Sequence, residues 1–316
     1  MPALAPTSIA ANGPATAAGS RPVASIVIRT YNEAKHLADV LQAISAQAHP
    51  GGTGAACEVI VVDSGSTDGT PEIAASAGAT VHGIRKDEFT YGRALNRGCE
   101  AAKAEFIVVL SGHCIPAGPN WLSDLLKPLN DPHVAITYGR QIAGSDTKFS
   151  EARVFAKYYP DGPASQGPAY CNNANAAVRK SIWRRFRYDE SLSGLEDLAL
   201  GKQVHHAGFR CEYVPAAAVH HIHDETWGQV RRRYEREAIA LRHIFPELHF
   251  NLYDAAKCFV AAVAGDAAAK LRQPRQAGGI GEIVLYRFNQ FYGSWLGNRA
   301  HRELSEKEKY RYFFPS

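Results

Sequence analysis

A chain of 316 residues, 46% of them hydrophobic, is long enough to bury a substantial core, as one large domain or two small ones. Its formal net charge of +4 and pI of about 8.7 are too mild for a nucleic-acid binder, so nucleic acid is not an expected partner, although a modest preference for anionic ligands is retained. The six cysteines are scattered without CxxC spacing and read as reduced thiols of a cytoplasmic protein.

Residues 1–21 are rich in Ala, Pro, Gly, Ser and Thr, lack the pattern of a secretory signal, and read as a disordered tail. No stretch reaches the roughly 18 to 20 apolar residues needed to span a bilayer. "CFVAAVAG" (258–265) is far too short and is flanked by Lys257 and Asp266, so the chain is expected to touch a membrane at most.

From Val23 the pattern alternates. "ASIVIRT" predicts a strand, and "EAKHLADVLQAISAQ" places Leu37, Val40, Leu41 and Ile44 at helical spacing. "CEVIVVDSG" predicts a second strand, "TPEIAASAG" a helix opened by Thr70-Pro71 and closed by Gly78, and "ATVHGI" a third strand. "GRALNRGCEAAK" predicts a helix ahead of the strand "EFIVVL". Strands alternating with helices imply a parallel sheet covered on both faces. Ligands of such sheets bind beyond the carboxyl ends of the strands, which here read Arg29-Thr30-Tyr31-Asn32-Glu33, Asp63-Ser64-Gly65-Ser66-Thr67-Asp68-Gly69 and Ser111-Gly112-His113. No GxGxxG follows the first strand and no Walker-type glycine loop occurs, which argues against dinucleotide and P-loop sites. "DSGSTDGT" fits either a base-binding loop or a turn made of caps.

Taken in order, "SIVIRTYNEAKHL", "EVIVVDSGSTDGT", "FTYGRALNRG", "FIVVLSGHCIP", "CNNANAAVRKSIW" and "GLEDLALGKQVHHAGF" resemble the family-two, inverting nucleotide-sugar glycosyltransferases, over about residues 23–225. The resemblance implies a GT-A fold: an α/β domain over residues 22–250 with a mainly parallel sheet covered by helices on both faces. Residues 251–316 then form a helical extension. It also implies that Thr30, Asn32 and Glu33 line a nucleoside pocket, and that Asp63, followed by Ser64, meets a uracil or thymine ring. Arg93 and Asn96 would lie near the ribose and diphosphate, as would the turn residues Ser111 and Gly112. Asn32 as a helix cap and Arg93 as a solvated helix residue are the plainer alternatives.

The family's DxD turn departs here to Ser111-Gly112-His113. In the usual pattern its last aspartate ligates Mg²⁺ or Mn²⁺ between the phosphates. Imidazole is a competent ligand too, better suited to Mn²⁺ or a later transition metal than to Mg²⁺. His113 therefore reads as a metal ligand, as a cation replacing the metal, or as a residue held by its loop. Strand alternation in "EYVPAAAVHHIH" puts His221 and His223 on one face. The resemblance makes His221 the second metal ligand and leaves His223 for a phosphate or the acceptor.

Glu196-Asp197 resembles the family's acidic pair, whose aspartate is the general base, and would also suit a helix N-terminus. "WGQVRRRYEREAIALRHIF" spaces Gln229, Arg232 or Arg233, and Arg236 along one helical face, which fits phosphates or a solvated helix. The aromatic, basic segment from Glu282 to Phe314 suits a peripheral membrane contact or internal packing.

The sequence therefore predicts an enzyme moving a sugar from a UDP- or dTDP-sugar to a glycan or lipid-linked acceptor, at the inner face of a membrane. The alternatives are a non-catalytic nucleotide-sugar or glycan-binding protein and a nucleotidyltransferase. Retention of Glu196-Asp197 disfavours the first, and the ordered later motifs disfavour the second.

Overall fold

The computed structural model describes residues 22–48, 57–144, 146–163, 166–273 and 278–299. The tail expected over residues 1–21 and the end of the extension, 300–316, lie outside these described residues.

The first half follows the sequence pattern closely. Strands β1 (Ala24–Thr30), β2 (Glu58–Asp63), β3 (Thr80–Gly83) and β4 (Phe106–Ser111) are joined by helices α1 (Ala34–Ser45), α2 (Thr70–Ser76) and α3 (Tyr91–Ala101). β1 pairs in parallel with β2 and β4, and β2 with β3. The runs are continuously apolar because both faces are covered. Ile26 and Ile28 join Leu37 and Val40 of α1 in one core, whereas Val27 joins Leu95 of α3 in the other. Gly98 lets α3 lie directly on β1, since a Cβ there would sit 2.3 Å from Val27.

The second half is mixed. In chain order it runs β5 (Cys114–Pro116), α4 (Trp121–Leu126), β6 (Val134–Ala143), α5 (Phe149–Tyr158), β7 (Asn175–Arg179), α6 (Lys180–Phe186), α7 (Glu196–His206) and β8 (Arg210–His221). The sheet order is β3-β2-β1-β4-β7-β6-β8-β5. β7 lies antiparallel to both β4 and β6, β6 and β8 are parallel, and β5 is antiparallel to β8. The sheet is thus mainly parallel, with β5 and β7 the reversed strands. α5 and the loop after it stay at the end where β6 finishes, so β7 must start there and run back.

This topology brings the chemistry to one edge. Thr30, Asp63, Ser111 and His221 end parallel-running strands there, and the reversed strands β7 and β5 begin there, just after Asn173 and His113. α7 leads into β8 from the opposite edge, so its N-terminal Glu196 and Asp197 belong to the same edge as the histidines.

Helices α8 (Trp227–Ile244), α9 (Leu252–Arg272) and α10 (Ile280–Arg299) are the last elements among the described residues. α10 packs backbone-close on α8 through Gly293 and Gly297, where a Cβ would lie 2.4 Å from the Arg231 carbonyl oxygen and 2.3 Å from that of Glu235. Two ion bridges on the buried Asp266, from the exposed Arg153 and the buried Arg287 at 2.7 Å each, fasten α9 and α10 to α5.

Candidate functional site

At the ends of β1 and β2 the polar side chains are used on one another. The Asp63 carboxylate is buried and accepts from Thr30 Oγ1 (2.9 Å), the Gly65 and Ser66 amides (2.9 Å each) and Ser66 Oγ (2.5 Å). These occupy about the four acceptor sites a carboxylate offers. A base hydrogen bond to Asp63, the contact that the resemblance implies, would displace one of these donors. Ser64 Oγ donates to the Thr30 carbonyl at 3.0 Å. Asn32 takes a left-handed conformation (φ 55°), and its Oδ1 accepts from the Thr67 amide at 2.9 Å. Asn32 does not cap α1: Asp68 accepts from the Ala34 amide and Thr70 Oγ1 from the Glu33 amide.

Beside this closed loop lies a cluster of imidazoles. Cys114 of β5 pairs with His221 at the end of β8, and the Ile222 amide donates to the His113 carbonyl, so the turn after β4 is stitched to the end of β8. Ligand atoms of His113, His221 and His223 all lie within 4.8 Å of one another. Every Nδ1 of the three is held from behind: His113 by Glu33 Oε1 (2.9 Å), His221 by Gln141 Oε1 (2.6 Å) and His223 by Glu151 Oε1 (2.7 Å). Each partner is an acceptor, which fixes the proton on Nδ1 and leaves Nε2 as the available lone pair. Gln141 is itself oriented, because its Nε2 donates to Asn172 Oδ1 at 3.0 Å. Phe155 of α5 stacks on His221 at 5.2 Å between centroids. Gly112 lets Glu33 pass beneath the turn, since a Cβ there would be 3.0 Å from Glu33 Cγ.

The three differ electrostatically. Burial opposes charging His113, but the adjacent Glu33 carboxylate outweighs it and raises that imidazole above its ordinary pKa. Burial, reinforced by the neighbouring histidines, pushes His221 well below its ordinary value.

Glu196 and Asp197 open α7 and are both buried. Asp197 accepts from the Asn173 amide (2.9 Å) and the Leu198 amide (2.8 Å), yet burial and the adjacent Glu196 charge push its carboxyl up to about 7. Arg29 of β1 lies 3.8 Å from Glu196 and stacks on Tyr91 at 4.5 Å. Asn173 Nδ2, in the residue whose amide donates to Asp197, is buried and has no hydrogen-bond partner among the described residues.

Other expected site residues are engaged elsewhere. Asn96 is buried and fully used by Tyr188, Trp183 and Glu190, which locks α3 to the segment after α6. Arg93 pairs with Glu190 at 2.8 Å and donates to the Glu88 carbonyl. Both are thus engaged within the chain, and a contact with ribose or diphosphate would have to replace one of these bonds. The expected phosphate-facing Arg233 is corrected: it is drawn inward to Glu151 (2.5 Å) and Glu225 (2.7 Å), backing the carboxylate that holds His223. Arg232 lies half-buried on α8. Ser111 donates its amide to the Ala174 carbonyl, joining β4 to the loop ahead of β7. Sequence reasoning missed Gln141, Glu151 and Phe155, which sit in no motif and reach the histidines only through the packing of β6 and α5.

An α/β sheet of this order, with polar and titratable groups gathered at one strand edge, is the architecture of a GT-A glycosyltransferase. Residues 25–192 match the family model described as Glycosyl transferase family 2, more than half of the chain, and the chain belongs to that family. It is an enzyme of the glycosyltransferase class. It is 27% identical over 191 residues to the O-antigen chain rhamnosyltransferase WbaN of Salmonella anatum, covering 56% of this chain and 60% of that protein. It is 25% identical over 224 residues to the O-antigen chain rhamnosyltransferase RfbN of Salmonella typhimurium, covering 66% and 69%. The chain thus spans less than two thirds of the length of WbaN. In fold it resembles the mannosyltransferase PcManGT of Pyrobaculum calidifontis, solved with GDP-Man and Mn²⁺, with a TM-score of 0.58, 20% identity, and coverage of 88% and 85%.

Proposed function

We propose that the chain is an inverting glycosyltransferase that moves a sugar from a UDP- or dTDP-sugar to a hydroxyl of a surface glycan or lipid-linked acceptor. The observation that carries this reading is Asp197: a buried carboxyl raised to about 7 by burial and the adjacent Glu196, at the same edge of the sheet as the histidine cluster. A base near the working pH is the one suited to take a proton from an attacking hydroxyl. The Asn173 and Leu198 amides hold the Asp197 carboxylate in place, and Asn173 Nδ2, without a partner among the described residues, is available to the acceptor or the donor sugar. Attack on the anomeric carbon from the face opposite the leaving diphosphate inverts its configuration. The domain limits, 22–250 for the transferase unit and 251–316 for the helical extension, belong to the same reading. Thr30, Asn32, Glu33, Asp63 and Ser64 would frame the nucleoside, with Asp63 acting mainly through the loop it ties.

Of the two divalent ions expected, Mn²⁺ and Mg²⁺, the donor set fits Mn²⁺ better: imidazoles with ligand atoms within 4.8 Å of one another, each anchored at Nδ1. His113 and His221 would hold it, and when bound it would offset the charge of the departing nucleoside diphosphate. A second reading is favoured by the Glu33 contact, which makes His113 more basic: a protonated His113 then supplies the charge itself. Transfer measured in EDTA and after Mn²⁺ is restored separates the two, with loss and recovery expected. The decisive experiment on the reaction is NMR of the product, which should show an anomeric configuration opposite to the donor's. A retained configuration overturns the inverting scheme.

No helix among the described residues is long and apolar enough to cross a membrane. Peripheral contact with the inner face is supported by α9, where Tyr253, Val260 and Leu271 are 73%, 65% and 81% exposed and recur along one line of the helix. Exposed Lys257 and Arg272 lie beside that line, the arrangement of an interfacial helix on anionic lipid. Wild type should sediment with phosphatidylglycerol vesicles and Val260→Asp should not. A wild type that stays in solution, or that dimerises through this face instead, overturns the contact.

A further inference from the structure

His223 was expected to serve a phosphate or the acceptor, yet its geometry matches that of its two neighbours. Its ring lies 4.1 Å from that of His221 and 5.7 Å from that of His113, and its Nδ1 is held by Glu151 just as theirs are held by Gln141 and Glu33. A histidine held at one nitrogen by a carboxylate or amide oxygen presents the other as an oriented, more basic ligand. Three such residues, drawn from the β4–β5 turn, the end of β8 and the segment just beyond it, form a site rather than a chance surface cluster.

We infer that His113, His221 and His223 form a three-imidazole site that binds one transition-metal ion by itself, before any nucleotide arrives. The inference rests on reading this edge as the donor site only for its biological use, not for the binding. Three protein ligands leave further positions open for diphosphate oxygens or water. No carboxylate belongs to the set. Imidazole shells favour Co²⁺, Ni²⁺ and Zn²⁺ over Mn²⁺, and all of these over Mg²⁺, which requires oxygen ligands. The adjoining group of Glu151, His223 and Glu225 is not a rival, because Arg233 already neutralises both carboxylates at 2.5 and 2.7 Å.

The mechanism of anchoring also assigns Glu151 and Arg233 as positioning residues. Glu151 is 1% exposed and bridges His223 to Arg233, so it transmits the packing of α5 and α8 to a ligand nitrogen.

The test is a Co²⁺ titration of untagged, chelator-treated full-length chain without nucleotide, followed by visible absorption. One Co²⁺ per chain is expected, displaced by Zn²⁺ and not by excess Mg²⁺. Glu151→Gln should weaken Co²⁺ binding about 10- to 100-fold, the usual effect of losing an outer-shell partner, and His223→Gln by at least as much. Circular dichroism checks that each variant is folded; if His223→Gln is not, Glu151→Gln decides. Absence of Co²⁺ binding in wild type, or unchanged binding in the folded variants, overturns the inference. Sugar transfer in Mn²⁺ is measured in parallel. A chain that transfers sugar yet binds no Co²⁺ alone defeats this site and leaves the glycosyltransferase reading intact, whereas Co²⁺ binding without transfer does the reverse.

Discussion

The ends of β1 and β2 and the ends of β4 and β8 lie on one edge of one sheet, yet they use polar groups in opposite ways. At the first, Asp63, Thr30, Ser64, Ser66 and Asn32 satisfy one another, and the loop is closed by its own hydrogen bonds. At the second, each imidazole is held at Nδ1 by one acceptor, and a ligand atom of each lies within 4.8 Å of those of the other two. Polar groups thus build a frame in one place and an open site in the other. What separates them is whether the hydrogen-bonding capacity is used up within the chain.

The sharpest way to break the open side is at its acid. Asp197→Asn keeps the size of the side chain but removes the ionisable carboxylate and sets its NH₂ against one of the two amides that the carboxylate accepts from, so turnover should fall by about 10²- to 10⁴-fold with donor affinity retained. Near-normal transfer by this variant removes Asp197 from the mechanism. In wild type, transfer should rise with pH through about 7 as Asp197 ionises. Stability should move the other way. A carboxyl raised from 3.8 to about 7 stays protonated in the fold while the unfolded chain has ionised, so this group's contribution falls as pH climbs across that window. Chemical denaturation from pH 4 to pH 8 checks the sign.

The closed side should fail differently. Asp63→Ala strands the Thr30 and Ser66 hydroxyls and two amides, at a cost of about 3 kcal/mol or more by urea unfolding. A variant as stable as wild type that has lost UDP binding would instead make Asp63 a direct contact of the base, as the resemblance implies, and not a part of the frame.

The contrast also explains what could be read from the chain beforehand. The strands from Ala24 to Ser111 are visible because apolar runs and turn residues alternate locally. His113 and His221 stand out by their places after β4 and at the end of β8. Glu151 and Gln141 do not, because their meaning comes from contacts 72 and 80 residues away in sequence. β5 is three residues long and shows no period at all, although it is the strand that joins the histidine turn to β8. The cationic row on α8 was legible as a pattern, but not the buried acids that turn Arg233 inward.

A smaller effect is expected where helices meet. Gly297→Ala puts a methyl where the Glu235 carbonyl and Ala238 Cβ already stand, at 2.3 and 2.8 Å, so α10 must move off α8. Overpacking of this kind costs about 1–3 kcal/mol, and a thermal melt should register it while transfer at low temperature persists.

The least effect should come from Arg93→Ala, and it bears most directly on where the frame ends and the site begins. Its ion pair with Glu190 joins side chains 46% and 38% exposed, where solvent screens the charges. Such pairs contribute under about 1 kcal/mol. Glu190 keeps its hydrogen bond from Asn96, so the segment after α6 remains tied to α3 without the arginine. If Arg93 belongs to the closed frame, the donor KM should stay within about twofold of wild type. A tenfold rise in KM with unchanged melting temperature would mean that the arginine leaves Glu190 to meet the donor. The boundary of the open site would then have to be redrawn to include α3.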